Sequence, residues 1–184
     1  KDRLMHPSSR VNMQKAIDSI KNTFPQDITI LDVGGRNIGG EDEFHDRSYK
    51  YMFRSFKDYF VADINKGPNV THLMPGDYDL PFEDNSIDLV VCGQTLEHVK
   101  NPFKSVAEMK RVVKMNHYIC LCAPSAGNYH DNPDCWRFMD DAFKAIAEDI
   151  GGLKVTMDWI YRTGNDIDRG KRWMDHTCVM QKVA

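Results

Sequence analysis

Several features that would decide the class of a protein are missing from this 184-residue chain. No apolar stretch approaches the roughly 20 residues that span a bilayer, and the first residues lack the apolar run of a secretory signal. The 24 basic and 27 acidic residues give a net charge of −3, so the composition supplies no basic excess for nucleic acid or an anionic membrane. We therefore expect no nucleic-acid partner and no membrane insertion.

The cysteines are few and odd in number, which argues against a disulfide framework. Most of them lie in or beside apolar, strand-like runs, where a reduced cysteine behaves as a small hydrophobic residue. Cys120 and Cys122 would share one face of a strand, which favours packing over a bridge between them. These features predict a reducing compartment and a cytoplasmic localisation.

Strand-like and helix-like segments alternate along the chain. Helices are predicted over 7–22, 41–58, 103–113 and 140–150, and strands over 28–33, 59–63, 70–73, 87–92, 118–123, 153–159 and 177–183. This order predicts an α/β fold with a mostly parallel sheet, helices on both faces and an antiparallel edge strand from the closing segments. The 41% of hydrophobic residues suffices for the core of such a three-layer domain.

Residues 30–40 are typical of a buried strand that turns sharply into a ligand pocket. Asp32 places a carboxylate at the end of the strand, while Gly34 and Gly35 allow positive φ and close approach of a ligand to the backbone. The next apolar run ends in Asp63, at the spacing at which the second acid of a nucleoside site reaches the ribose hydroxyls. Together these residues predict a nucleotide-like ligand.

Six short motifs, in order across residues 28–125, resemble the class I S-adenosylmethionine-dependent methyltransferases, in particular the small type 11 branch. They are Leu31–Gly35, Ala62–Ile64, Gly76–Asp77 with Leu80–Phe82, Ser86–Val91, Leu96–Val99 and Glu108–Lys114. The resemblance implies a three-layer, Rossmann-like fold, with S-adenosyl-L-methionine as cofactor and S-adenosyl-L-homocysteine as product. It also implies a single domain over 1–184, with an N-terminal capping helix (1–26), a cofactor-binding core (27–125) and an acceptor-side loop with closing strands (126–184).

The same resemblance implies a set of cofactor-binding residues. They are Asp32, Gly34, Gly35, Asp63, Ile64, Asp77, Tyr78, Gly93 and Gln94. The first three would face the methionine portion, and Asp63 would accept hydrogen bonds from both ribose hydroxyls. Asp77 would accept from the adenine amine, the Tyr78 N–H would meet a ring nitrogen, and Gly93 and Gln94 would border the sulfonium.

Candidate acceptor-side residues follow the fourth and fifth predicted strands. The candidates are His98 and His130 as catalytic residues, and Asp134, Trp136 and Arg137 as substrate-binding residues. A histidine can accept the proton that a hydroxyl or amine loses on methylation, but His98 could equally bond the backbone, and Trp136 could equally anchor a packed loop. No metal is predicted, because the spacing of the polar residues over 130–135 matches no ligand pattern.

Arg36 departs from the family pattern, since it stands where a further glycine is usual. Its side chain would either crowd the methionine site or point outward and pair with an acid such as Glu41. A second departure, at residues 114–117, replaces the usual Lys-Pro-Gly-Gly and would alter a turn away from the ligand.

Three functions remain open at this point. We favour methyl transfer from S-adenosylmethionine to an oxygen or nitrogen of a small-molecule or glycan-type acceptor. The short chain and Arg36 suggest instead a non-catalytic methyltransferase-like module that acts with a partner protein; a homodimer or such a partner would then complete the acceptor pocket. A nucleotide-dependent oxidoreductase would share the two acids, but the chain lacks a complete G-x-G-x-x-G motif.

Overall fold

Strands and helices alternate through most of the described chain. The computed structural model describes residues 7–24, 27–37, 48–162 and 173–184. The strands are β1 (Thr29–Val33), β2 (Asp58–Asp63), β3 (His72–Leu73), β4 (Ile87–Gly93), β5 (Val113–Ala126), β6 (Leu153–Arg162) and β7 (Met174–Lys182). The helices are α1 (Pro7–Ile20), α2 (Pro102–Val112) and α3 (Ala142–Ile150).

The strands form one sheet in the order β3-β2-β1-β4-β5-β7-β6. Neighbours from β3 through β5 are parallel, whereas β7 runs antiparallel to both β5 and β6. The predicted mixed sheet with an antiparallel closing strand is therefore confirmed. β1 and β4 lie in the centre and are covered on both faces, so they are almost wholly buried, and apart from Thr29, Asp32 and Asp88 their side chains are apolar or absent.

Different helices cover the two faces of the sheet. On one face α2 and α3 pack over strand residues that include Leu31 and Leu121. On the other, α1 packs over Ile30, Cys120 and Cys122, so the two cysteines share a face as predicted. Burial raises the pKa of the Cys122 thiol to about 12, which makes it a packing residue and not a nucleophile.

Most predicted elements appear within a few residues of their expected bounds, but the helix over 41–58 is wrong in its described part. Residues 50–52 form only a single 3-10 turn, and the chain then runs irregularly, with bends at 54 and 57, into β2. The aromatic residues of the supposed helical stripe pack irregularly instead, with Tyr49 buried and Phe53 and Phe56 against Tyr59. The spacing of these aromatic residues therefore reflects their burial in the core and not a helix. Residues 41–47 lie outside the described part of the chain.

The departure at residues 114–117 lies far from the carboxyl edge of the sheet. Asn116 adopts φ 64, a left-handed conformation that asparagine tolerates, and β5 continues through it with a shift in register against β4. Ile87, at the start of β4, pairs with Val113, which places this irregularity at the amino ends of the parallel strands. None of the helices in the described part of the chain has the length and hydrophobicity of a membrane-spanning segment.

Arg111 joins the end of α2 to the loop that precedes β4. Its guanidinium donates to both carboxylate oxygens of Glu108, at 2.9 and 2.7 Å, and to Asp84 at 2.6 Å. The carbonyls of Leu80 and Phe82 accept from the same group at 3.0 and 2.8 Å. The hydrogen bonds from Arg111 lower the pKa of Glu108, so the pair stays ionised and the loop is fixed to the helix.

We expect the Arg111→Lys variant to lower the free energy of unfolding by about 1–2 kcal/mol, because a lysine cannot reproduce the forked contacts. Urea denaturation would measure the loss. Arg54→Lys is the matched control, since Arg54 is exposed and should change stability by less than about 0.5 kcal/mol. Equal losses in the two variants would contradict this role of Arg111.

Candidate active site

A cleft of about 990 Å³ opens at the carboxyl ends of β1, β2 and β4. This edge is where open α/β sheets bind ligands, because the strand ends and their following loops converge there. The predicted residues that line the cleft are Gly34, Gly35, Asp63, Ile64, Asp77, Tyr78, Gly93, Gln94, His98 and His130. The structure thus gathers residues from separate motifs into one cavity.

The turn after β1 accepts only residues without a side chain. Gly34 adopts φ +76, and a Cβ at this position would collide with the side chain of Thr95. The Gly34 N–H donates to the Ala62 carbonyl at 2.8 Å, which ties the turn to β2. A Cβ on Gly35 would lie 2.5 Å from a carboxylate oxygen of Asp32. The turn therefore presents bare backbone to the cleft.

Asp32 lies beneath this turn and does not line the cleft. Its side chain is fully buried, and Oδ2 accepts from the Tyr59 hydroxyl at 2.6 Å and from the Tyr49 N–H at 3.2 Å. Burial, and next the charge of Asp32, raise the pKa of Tyr59 well above its usual value, so the phenol remains a hydrogen-bond donor. Asp32 would act on a cofactor only through the backbone that it orders.

Asn69 is a residue that the sequence analysis missed. Its Oδ1 accepts from the Asn37 N–H at 2.7 Å, and its Nδ2 donates to the Gly35 carbonyl at 2.8 Å. One side chain thus fixes both ends of the segment that follows the glycine turn. The local sequence around Asn69 predicts a turn, but it carries no signal for a contact with residues far earlier in the chain.

Arg36 pairs with Asp63 at the edge of the cleft. Its Nε lies 3.5 Å from Oδ1 of Asp63, and the same oxygen accepts from the Asn65 N–H at 2.8 Å. The Arg36 stem packs so close to Gly67 that a Cβ there would lie 2.6 Å from its Cγ. Arg36 therefore pairs with an acid, as in the second of the two alternatives. The acid is Asp63, which is also the candidate ribose ligand. Glu41 lies outside the described residues.

Asp77 and Tyr78 lie in the same cleft, beside an apolar wall formed by Leu80 and Met109. The Leu80 N–H donates to the Glu108 carboxylate at 3.0 Å, which positions the loop against α2. Lys104 places its Nζ 5.7 Å from the centre of the Tyr78 ring. A carboxylate beside an apolar wall suits a flat heteroaromatic ring that carries an exocyclic amine.

Gly93 ends β4 and Gln94 follows it, and both residues line the cleft. A Cβ on Gly93 would collide with the hydroxyl of the buried Tyr49. Gln94 adopts φ 52, donates its N–H to the Cys122 carbonyl at 2.8 Å and donates Nε2 to Asp175 at 2.9 Å. Its Oε1 is buried and has no hydrogen-bond partner among the described residues, which leaves an acceptor for a bound group.

His98 and His130 face each other in the cleft, with ring centroids 5.0 Å apart. Nδ1 of His98 lies 2.5 Å from the Pro133 carbonyl, so this nitrogen carries a proton and Nε2 holds the lone pair of the neutral ring. The Nε2 atoms of His98 and His130 lie 3.6 and 3.8 Å from Oε1 of Glu97. Glu97 first, and then Asp134, raise the pKa of His130 above its usual value.

The three predicted substrate-binding residues do not line the cleft. Arg137 donates to both carboxylate oxygens of Asp134, at 2.5 and 2.7 Å, and to the carbonyl of Asn128 at 2.9 Å. Trp136 donates its Nε1 to the Val99 carbonyl at 2.9 Å. These residues hold residues 127–138, the acceptor-side loop, in shape, and their contact with substrate stays a prediction.

The comparisons with known proteins agree with this architecture. A family model described as a methyltransferase domain matches residues 49–121. An uncharacterized methyltransferase of Schizosaccharomyces pombe is 44% identical over 43 residues, which span 23% of this chain and 16% of that protein. The matched residues 49–121 fall within the region whose motifs resemble the class I S-adenosylmethionine-dependent methyltransferases, so the comparison and the motifs agree on this part of the chain.

Solved structures share the fold at low sequence identity. A candidate methyltransferase from Bacillus halodurans has a TM-score of 0.72 at 12% identity, covering 95% of this chain and 100% of its own. A SAM-dependent methyltransferase from Aquifex aeolicus has a TM-score of 0.60 at 19% identity, covering 94% and 92%. A candidate methyltransferase in complex with the Haloferax volcanii Trm112 methyltransferase activator has a TM-score of 0.60 at 15% identity, covering 95% and 91%.

The Asp134–Arg137 pair generates a pH-dependent prediction. The Arg137 hydrogen bonds lower the pKa of Asp134 to about 2, below the value of about 3.9 for an unperturbed carboxyl. The pair therefore stabilises the fold fully above about pH 4–5, and this contribution is lost as the pH falls through about 2. We expect Asp134→Asn to lose about 1–2 kcal/mol of stability at pH 7, and the difference from the wild-type protein to shrink between pH 4 and 2.

Thermal unfolding followed by circular dichroism across this pH range measures the difference. Asp140→Asn is the control, because Asp140 is exposed and should show only a small difference at every pH. A difference for Asp134→Asn that stayed constant down to pH 2 would contradict the assigned ionic pairing.

Proposed function

We propose that this chain transfers a methyl group from S-adenosylmethionine to an oxygen or nitrogen of a small-molecule or glycan-type acceptor. The observation that carries the proposal is one cleft with two chemically different parts. One part has bare backbone at Gly34 and Gly35 together with acids suited to a nucleoside, and the other has two histidines. Its volume of about 990 Å³ lies at the upper end of the range for small-molecule sites.

The residues present fit the cofactor that the family implies. The glycine turn leaves room that any Cβ would fill, Asp63 offers a carboxylate to ribose, and the buried Oε1 of Gln94 lacks a hydrogen-bond partner among the described residues. When bound, S-adenosylmethionine supplies a methyl group that is already activated by the sulfonium. We assign Gly34 and Gly35 to its methionine portion, Asp77 and Tyr78 to adenine, and Gly93 and Gln94 to the region of the sulfur.

The contribution of the protein to such a reaction is mainly positional. Methyl transfer needs the attacking atom in line with the methyl group and water excluded, and a fixed pocket supplies both. The acceptor-side loop is tied to the turn after β4 by the Cys135 N–H, which donates to the Glu97 carbonyl at 2.6 Å, and by the Trp136 indole. We infer that this loop forms the wall against which the acceptor lies.

A second function, that of a module activated by a partner protein, is favoured by one specific observation. Arg36 already pairs with Asp63, so ribose must share or displace that cation before both oxygens of the carboxylate can accept hydrogen bonds. The Trm112 complex of a chain with this fold offers a precedent for an activator. In this alternative, cofactor binding by the isolated chain is weak and rises when a partner is added.

Calorimetric titration with S-adenosylhomocysteine tests the cofactor assignment. We expect the wild-type chain to bind and Asp63→Ala to lose about 1.5–3 kcal/mol, which is roughly a 10- to 150-fold loss of affinity, because two charge-assisted hydrogen bonds are removed. Asp58→Ala is the matched control, since Asp58 begins the same strand at the end away from the cleft.

The same titration separates the two functions. Tight binding that is lost in Asp63→Ala supports the enzyme and justifies a screen of hydroxyl and amine acceptors with methyl-labelled cofactor. No binding by a folded wild-type chain would rule out the self-sufficient enzyme and leave the partner-dependent module. Equal affinity of both variants would show that Asp63 does not hold the ribose.

A further inference from the structure

Three side chains of metal-binding type converge beside the cleft. They are Glu97, His98 and His130, and one ligand atom from each lies within 4.8 Å of the others. Glu97 and His98 belong to the 3-10 turn after β4, whereas His130 comes from the acceptor-side loop. Because these segments are distant in sequence, the spacing of residues gave no sign of the cluster.

Glu97 is the unusual member of this cluster. Its side chain is 0% exposed, and neither carboxylate oxygen has a hydrogen-bond partner among the described residues. A buried carboxylate in this state is costly unless a cation or a proton compensates it. The two histidine nitrogens nearest to it, at 3.6 and 3.8 Å, are too far away for ordinary hydrogen bonds. A cation between these three groups would satisfy the carboxylate.

Both histidines are oriented as metal ligands usually are. Nδ1 of His98 is held by the Pro133 carbonyl at 2.5 Å, and Nδ1 of His130 lies 3.3 Å from Oδ2 of Asp134, although this second contact is not aligned as a hydrogen bond. In metal sites a carbonyl or carboxylate commonly holds the nitrogen that does not bind the metal. This arrangement turns the Nε2 atom of each ring toward the carboxylate of Glu97.

The support behind these ligands is itself fixed. Arg137 holds Asp134 from the other side with two hydrogen bonds, at 2.5 and 2.7 Å, and the His130 N–H donates to Asp134 at 2.9 Å. The ring of His130 also packs edge-on against Trp173, with centroids 4.9 Å apart. The cluster therefore rests on a bonded framework within the acceptor-side loop.

We propose that Glu97, His98 and His130 bind a divalent transition-metal ion at the acceptor end of the cleft. Two imidazoles and one carboxylate form a donor set typical of Zn²⁺ and Fe²⁺ sites that keep open positions for a further ligand. Bonds of about 2.0–2.2 Å to such an ion place ligand atoms roughly 3.3–3.6 Å apart. The two histidine nitrogens already lie 3.6 and 3.8 Å from Oε1 of Glu97, and no two of the three ligand atoms are more than 4.8 Å apart, so inward rotation of the side chains would bring them to one ion. No metal is predicted from the residues over 130–135, because two of the three ligands, Glu97 and His98, lie outside that segment.

The catalytic consequence rests on the proposed methyltransferase function. His98 and His130 also line the cleft, so an ion that they hold would have its open positions there. A hydroxyl of the acceptor bound to the ion loses its proton more readily, and that proton passes to water. The oxygen lone pair then forms the bond to the methyl carbon, and the carbon–sulfur bond breaks with its electron pair going to sulfur. In this arrangement the two histidines are ligands and not general bases.

Titration of the chelator-treated protein with Zn²⁺, in competition with a chromophoric chelator, tests the site directly. We expect one site in the wild-type protein and a loss of affinity of more than about 100-fold in Glu97→Gln, His98→Gln and His130→Gln, beyond the 10- to 100-fold typical of supporting residues. Glu97→Gln preserves size and removes a buried charge, so its folding should be retained. His117→Gln is the matched control, because His117 lies at the amino end of the sheet and should leave Zn²⁺ affinity unchanged.

Visible absorption of the Co²⁺ form gives a second readout that needs no turnover. Tetrahedral and five-coordinate Co²⁺ sites are expected to absorb between roughly 500 and 650 nm. The proposal is overturned if the wild-type protein and the three ligand variants bind Zn²⁺ equally, or if the wild-type protein does not bind it. S-adenosylhomocysteine binding without Zn²⁺ binding would leave the proposed function standing and remove the metal. Zn²⁺ binding without S-adenosylhomocysteine binding would support the metal site and contradict the proposed methyltransferase function.

Discussion

The buried Asp32 carboxylate is the constraint on which the cofactor side of the cleft depends. It takes hydrogen bonds from the Tyr59 hydroxyl and the Tyr49 N–H, and it fills the space that a side chain at residue 35 would need. The end of β1, the start of β2 and the irregular segment between them are therefore joined at one carboxylate. Since the glycine turn sits directly above it, the bare backbone that faces the cleft follows from this contact.

A second buried carboxylate, Glu97, has a contrasting role. Asp32 accepts two hydrogen bonds on Oδ2, from the Tyr59 hydroxyl and the Tyr49 N–H, whereas neither oxygen of Glu97 has a hydrogen-bond partner in the described part of the chain. Asp32 stabilises the fold, whereas Glu97 places a buried carboxylate without a hydrogen-bond partner among the described residues at the acceptor end of the cleft. A group-transfer site needs side chains whose hydrogen-bonding atoms are free to contact the reacting groups, and Glu97 is such a side chain. It also needs a fixed framework, which the hydrogen bonds of Asp32 supply on the cofactor side.

The fold was largely predictable from the sequence because it rests on local periodicity. The buried central strands and the amphipathic helices at 102–112 and 142–150 carry patterns that only a two-sided α/β sheet satisfies. The segment before β2 is the exception, since its aromatic residues follow a helical spacing although they pack without a helix. Tertiary packing overrode the local pattern there.

The candidate site was predictable only where its residues belong to contiguous motifs. The glycine turn, Asp63 and Asp77–Tyr78 reach the cleft as their motifs imply. The contacts of Asn69 with the glycine turn, of Arg36 with Asp63 and of His130 with Glu97 join residues that are far apart in sequence, so spacing could not reveal them. The same limit explains why Asp134 and Arg137, which were expected to meet substrate, bind each other.

A crystal structure of the chain with S-adenosylhomocysteine would test the cofactor assignment of the cleft. We expect homocysteine over Gly34 and Gly35, ribose on Asp63 with Arg36 displaced or shared, and sulfur near Gln94, directed toward His98 and His130. A ligand bound outside this cleft, or one whose ribose makes no contact with Asp63, would contradict the assignment of the cleft as a methyltransferase site.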